Sequence, residues 1–169
     1  MSKGKWISAE GKTGRLVAAR LLPGQDLVEA VLGLAGEYGL RSGRVWAIGS
    51  LSSATVVYPN SMEFGDDPMS VAVFHKMEGP VELGFGYGVF GTGEDGEISL
   101  HLHGLIMDKD GNMRTGNLVP GSAPVLATVE LTLEEYQGLE LRAVLDEEWK
   151  HKFLHPTAVP QGRDRGGDD

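Results

Sequence analysis

One stretch alone carries helical spacing. Between Gln25 and Gly39, apolar residues fall at Leu27, Val28, Val31, Leu32, Leu34 and Ala35, which makes one broad face of a 3.6-residue period. Asp26 stands where an N-cap oxygen is needed, with Glu29 three residues on as in a capping box. Gly39 occupies the place of a left-handed C-terminal residue. The other patterned segments are rich in β-branched, aromatic and alternating residues. A parallel sheet needs a crossover between successive strands, usually a helix, and this sequence offers one long helix. The fold class expected is therefore α+β: a mostly antiparallel β-sheet with one long helix packed on it.

The expected strands are Arg15–Leu22, Gly43–Tyr58 broken at Gly49-Ser50, Val71–His75, Val81–Phe90, Glu97–Met107, Val125–Leu131 and Leu139–Leu145. Asp66-Asp67-Pro68, Glu78-Gly79-Pro80, Gly93-Glu94-Asp95-Gly96 and Asp108–Asn112 supply turns between them. A short helix is expected around Leu133–Gln137. Residues 1–14 read as a flexible N-terminus, 15–155 as a single domain, and 156–169 as a disordered acidic tail without apolar periodicity. At 169 residues the chain has the length for one core.

Cysteine is absent, which removes disulfides and thiolate metal sites and fits a reducing, cytoplasmic setting. No stretch approaches the roughly 20 apolar residues of a membrane span, and no apolar run follows the basic N-terminus as a secretory signal requires. The 25 glycines point to turns, bulges and close backbone approaches. A formal charge of −9 opposes binding to phosphate backbones unless cations cluster on one face.

Two segments hold candidate chemistry. In Glu97-Ile-Ser-Leu-His101-Leu-His103, a strand buries Ile98, Leu100 and Leu102 and turns both imidazoles to the opposite face. Their Cα atoms are then about 6.6 Å apart, and the rings can converge on one divalent metal such as zinc. A protein zinc site needs at least a third ligand. The plainer alternative is a pair of hydrogen-bonding surface or interface histidines. In Glu82-Leu-Gly84-Phe-Gly86-Tyr-Gly88-Val89, strand alternation gathers Glu82, Gly84, Gly86 and Gly88 on a nearly bare face for a ligand, a second chain or a bulky neighbour.

Other segments are weaker. Asp108-x-Asp110-Gly111-Asn112 lacks the later glutamate of a calcium loop and reads as a hairpin turn. Gly49-Ser-Leu-Ser-Ser53 lacks the glycine pattern of a nucleophile elbow.

Taken in order, Arg20-Leu-Leu-Pro-Gly24-Gln-Asp26, Ile48-Gly-Ser-Leu-Ser52, Glu78-Gly-Pro-Val-Glu82, His101-Leu-His103, Asp110-Gly111, Thr128-Val-Glu130 and Arg142 resemble the PPC (plant and prokaryote conserved) domain family, also described as PD1-like DNA-binding proteins. The resemblance runs from about Arg15 to Leu145. It implies a compact α+β domain in a homotrimer. It also implies a third histidine, in a Gly-Gly-His-Leu segment, completing a metal site near a subunit boundary. Here that segment reads Thr115-Gly116-Asn117-Leu118, so Asn117 stands in the third-ligand place. The plant relatives reach DNA through a separate AT-hook, and no Arg-Gly-Arg-Pro of that kind occurs here.

Three functions are thus in view. The first is a homotrimeric small-molecule-binding or regulatory module, its subunit-boundary cleft lined by Glu82, Gly84, Gly86 and Asn117 beside His101 and His103. The second is a metal-assisted enzyme with the two histidines as ligands and Glu82 as general base to a bound water. The third is a DNA-associated regulator, which a basic patch around Arg20, Arg41 and Arg44 would favour. No complete catalytic set is visible.

Overall fold

A computed structural model describes residues 6–61 and 68–159. In chain order its elements are β1 (Lys12–Leu21), α1 (Leu27–Glu37), β2 (Gly43–Pro59), a short 3-10 turn (Pro68–Val71), β3 (Ala72–Thr92), β4 (Ile98–Asp108), β5 (Met113–Leu118), β6 (Val125–Gln137), β7 (Leu139–Asp146) and β8 (His151–Ala158). The strands form one sheet in the order β1-β6-β2-β5-β4-β3-β7-β8, and β2 also pairs with β3. Because β5 joins β4 on one side and the far end of β2 on the other, β2, β3, β4 and β5 curl into a closed ring. β1 and β6 extend it as a wing.

Helix α1 forms where its period predicts and closes the core, burying Leu27, Val28, Val31 and Ala35. It contacts β4 and β6. Asp26 Oδ1 accepts hydrogen bonds from the Val28 and Glu29 amides, which satisfies two of the free donors of the first turn. The other oxygen, Oδ2, accepts from the Ala123 amide at 2.7 Å, so the same carboxylate ties the helix to the loop before β6. At the far end Gly39 has φ 61° and the buried Leu40 returns its amide to the Ala35 carbonyl. The helix is 11 residues, three turns, shorter than the long helix expected. The sheet is antiparallel except where β3 and β7 meet in parallel at Thr92 and Arg142, so it is mixed.

Five other local expectations change. Leu133–Gln137 is not a helix but the end of β6. Alternation along β6 buries Val129, Leu131 and Leu133, and the neighbours β1 and β2 claim its backbone on both edges. The breaks expected at Gly49-Ser50 and Glu78-Gly79-Pro80 do not end strands; β2 and β3 run through them with register shifts. At Gly49, φ is 147° and a Cβ would overlap the Thr128 carbonyl, so the bulge needs glycine. Lys12–Gly14, assigned to the flexible N-terminus, begin β1, and Pro156–Ala158, assigned to the tail, pair with Leu139–Leu141 in β8. The expected turn at Asp66-Asp67 and the tail from 160 on lie outside the described residues, as do residues 1–5.

Candidate functional site

The side chains turned away from the core form rows across the sheet. One row runs Ala18, Thr132, Trp46, Tyr87, His103 and Asn117, each residue the register partner of the next. A neighbouring row carries Arg44, Val89 and His101. Alternation along β4 does what the sequence suggests: Leu102 and Ile106 are buried, and His101 and His103 are exposed on the other side.

The two imidazoles meet. Their Nε2 atoms lie 2.9 Å apart, with ring centroids at 4.8 Å and planes at 73°. At that separation one Nε2–H donates to the other ring's lone pair, an arrangement that requires the accepting ring to be neutral. Both rings are held below the ordinary histidine value. For His101 the causes are burial by neighbouring atoms, then repulsion from His103 and His151; for His103 the cause is burial. The site therefore presents unprotonated nitrogen near neutral pH.

Asn117 faces His103 across the β4–β5 rung, but its Oδ1 is occupied by the Leu102 amide at 3.1 Å. Among the described residues no group of three or more His, Cys, Asp or Glu gathers to hold a metal ion. Two imidazoles and an amide whose oxygen is already bonded do not make the three-ligand set of a zinc site. Glu82 is exposed and pairs with Met107, four residues along β4 from His103 and roughly 13 Å away by strand rise. That distance removes it as general base to a water on the histidines.

The expected glycine face divides. A bulge between Leu83 and Phe85 leaves Gly84 and Phe85 both exposed, while Gly86 and Gly88 join Leu83 and Phe90 on the buried side. A Cβ at Gly86 would press on Ala47 and Leu83. Gly86 therefore serves close strand packing inside the core and does not line the outer face. The extra residue of the bulge reverses the alternation, which the sequence pattern cannot reveal.

The outer face holds residues that sequence reasoning passed over. Trp46 packs on Tyr87 at 4.7 Å and on Phe85 at 5.5 Å between ring centroids. The alternation Arg44, Trp46, Ile48 was a readable signal for an outward aromatic. His151, from β8, comes close enough to His101 to oppose its protonation, and no sequence signal places it there.

The remaining candidates serve structure. Ser50 Oγ accepts from the Ala127 amide, and Ser52 Oγ donates to the Pro124 carbonyl. Asp108 accepts from the Asp110 and Asn112 amides and from the Asn112 side chain, closing the β4–β5 hairpin. The cations named as a possible patch have acidic or polar neighbours. Arg44 pairs with Glu134 at 2.6 Å, Arg41 lies 3.9 Å from Glu140, and Arg20 donates to Thr128, which donates on to Glu130.

Among the described residues, one α-helix closing a strongly curved, mostly antiparallel sheet, with an imidazole pair on the outer surface, defines a small α+β domain. The profile of the Plants and Prokaryotes Conserved (PCC) domain matches residues 8–137, and the chain belongs to that family. Three solved structures show the same fold. A metal-containing protein from Archaeoglobus fulgidus is 24% identical with a TM-score of 0.74, covering 89% of this chain and 99% of its own. A plant- and prokaryote-conserved protein from Pyrococcus horikoshii is 18% identical with a TM-score of 0.74, covering 91% and 100%. A candidate DNA-binding protein from Bacteroides thetaiotaomicron is 17% identical with a TM-score of 0.70, covering 85% and 96%. No curated protein matches the chain. Among the described residues no helix is long and apolar enough to cross a membrane.

Proposed function

We propose that this chain is a homotrimeric PCC-domain module that binds a small molecule at a subunit boundary. The observation that carries the reading is the outer face: an unprotonated His101–His103 pair adjoins an aromatic cluster, with His103 in the same row as Trp46 and Tyr87, and nothing among the described residues covers Trp46 and Phe85 fully. Small-molecule sites combine an apolar wall with a few placed polar groups, and this face offers both halves. His101, His103 and the Asn117 amide form its polar end; Glu82 and Gly84 lie at the other.

The experiment is light scattering together with native mass spectrometry on untreated protein. The expected result is a mass of three chains and a small molecule released on denaturation. A mass near the 18.1 kDa monomer at micromolar concentration would overturn the reading.

The DNA-associated reading, motivated by the Bacteroides thetaiotaomicron neighbour, is weaker. The arginines that would carry it sit beside carboxylates or are linked to one through Thr128, and the chain carries a formal charge of −9. Weak, sequence-independent binding is expected in an anisotropy titration. A dissociation constant of about 10⁻⁸ M on one sequence at physiological salt would favour a regulator instead.

A further inference from the structure

We infer that the mouth of the ring formed by β2, β3, β4 and β5 binds a small organic monocarboxylate, held by Arg114 and His75. Register places both residues on the inward side of their strands. His75 is the partner of the fully buried Val56, and Arg114 is the partner of the fully buried Ile106. The same inward sides carry Met77 on β3 and Gly116 and Leu118 on β5, all of them buried. Each strand thus turns apolar or small residues toward the core and then, at the mouth, turns an imidazole or a guanidinium the same way. Such breaks in a strand's pattern concentrate at functional sites.

The two residues line a cleft of about 440 Å³ between the first part of β3 and the β4–β5 hairpin. Its other charged lining, among the described residues, is Lys76, Glu78, Asp108, Lys109 and Asp110. Lys76 pairs with Glu78 at 2.7 Å, and Lys109 with Asp110 at 2.9 Å. Asp108 accepts from the Asn112 side chain and from the Asn112 and Asp110 amides. Arg114 differs from all of these. It donates from Nη1 to the adjacent Met113 carbonyl at 2.7 Å and pairs with no carboxylate among the described residues.

A guanidinium offers its donors as a planar fork that matches a carboxylate through two parallel bonds. With Arg114 included, the cleft holds three cations and three carboxylates. It therefore lacks the surplus positive charge that a phosphate dianion needs, and a monoanion taken up by the fork suits it better. His75 supplies the second polar contact. Its Nε2 lies 2.9 Å from the Tyr58 hydroxyl, with the two rings nearly parallel at 8°. That bond fixes the imidazole and leaves Nδ1 without a partner among the described residues, open to a hydroxyl or carbonyl beside the carboxylate. The buried Met77 adds an apolar wall.

The test is an NMR titration of the full chain with sodium lactate and, separately, with inorganic phosphate, read at the Asn112, Met113 and Arg114 amides and the His75 ring. Lactate is expected to shift these signals to saturation in the millimolar range, and phosphate to bind more weakly. Arg114→Gln is expected to weaken lactate at least about tenfold, as loss of a bidentate charged contact should. If that variant unfolds by circular dichroism, Arg114→Lys, which keeps the charge and loses the fork, takes its place. Tyr58→Phe is expected to weaken lactate by a smaller factor, and no change there removes His75 from the site. The site is overturned by an absence of saturable shifts, by shifts confined to the His101–His103 face, by a folded Arg114 variant that binds lactate unchanged, or by phosphate binding tighter than lactate.

Discussion

His103 on β4 and Asn117 on β5 stand directly opposite each other across one antiparallel rung, and the Asn117 side chain is turned onto the Leu102 backbone amide at 3.1 Å. Register partners in antiparallel strands have Cα atoms about 4.5–5.5 Å apart, within reach for a shared ligand. An imidazole at position 117 would therefore join His101 and His103 as a third nitrogen donor.

Asn117→His is accordingly expected to tighten zinc binding by at least about tenfold, some 1.4 kcal/mol, because a borderline-soft ion prefers imidazole to a neutral amide. The native protein is expected to purify with well under one zinc per chain. Losing the bond to Leu102 costs the variant about 1 kcal/mol without metal, so its melting temperature should fall and then rise on adding zinc. Elemental analysis and calorimetric titration of both proteins check this. One tightly held zinc per native chain would show that the site is completed by other means.

The imidazole pair predicts a pH dependence. Burial, and for His101 also repulsion from His103 and His151, lowers both values from the ordinary 6.5. The unfolded chain then takes up protons before the folded one as pH falls. Stability contributed by the neutral pair is fully present above about 6.5 and is lost as pH drops from there through the folded values. NMR titration of the ring protons should place both midpoints below 6.5, and midpoints above it would contradict the neutral pair.

Asp26 joins two elements with one carboxylate. Asp26→Ala removes the cap on α1, worth about 1 kcal/mol, and leaves the Ala123 amide without its acceptor, a further 1–3 kcal/mol. Urea unfolding should show a total loss of about 2–4 kcal/mol. A loss under about 0.5 kcal/mol would mean that water replaces both bonds.

Arg15 grips Glu135 through two nitrogens, Nε at 2.9 Å and Nη2 at 2.7 Å. These bonds hold Glu135 down to about 2 from the ordinary 4.5. A depressed carboxylate contributes stability that is present above 4.5 and lost as pH falls toward 2. Glu135→Gln should remove that part of the acid sensitivity, so that the stability gap between the two proteins closes across this window. A gap unchanged between pH 5 and pH 2 would show that the pair contributes nothing to folding.

Local periodicity determined what depends on local geometry. The helix from Leu27, its Asp26 cap and the reversal at Gly39 follow from spacing and from the needs of a helix end, which are satisfied within a few residues. The outward placement of His101 and His103 follows from the two-residue period of a strand. The decisions that needed the tertiary structure are those in which distant strands compete for backbone groups or shift register. Leu133–Gln137 has residues able to turn into a helix, but β1 and β2 take its hydrogen bonds from both sides. The bulge after Leu83 sends Gly86 inward and Phe85 outward, and one extra residue opposite β4 suffices because a strand's faces alternate at every step. Whether two exposed histidines meet, and that an asparagine 14 positions past His103 in the chain stands opposite it, is set by the pairing of strands, which spacing along a single chain does not encode.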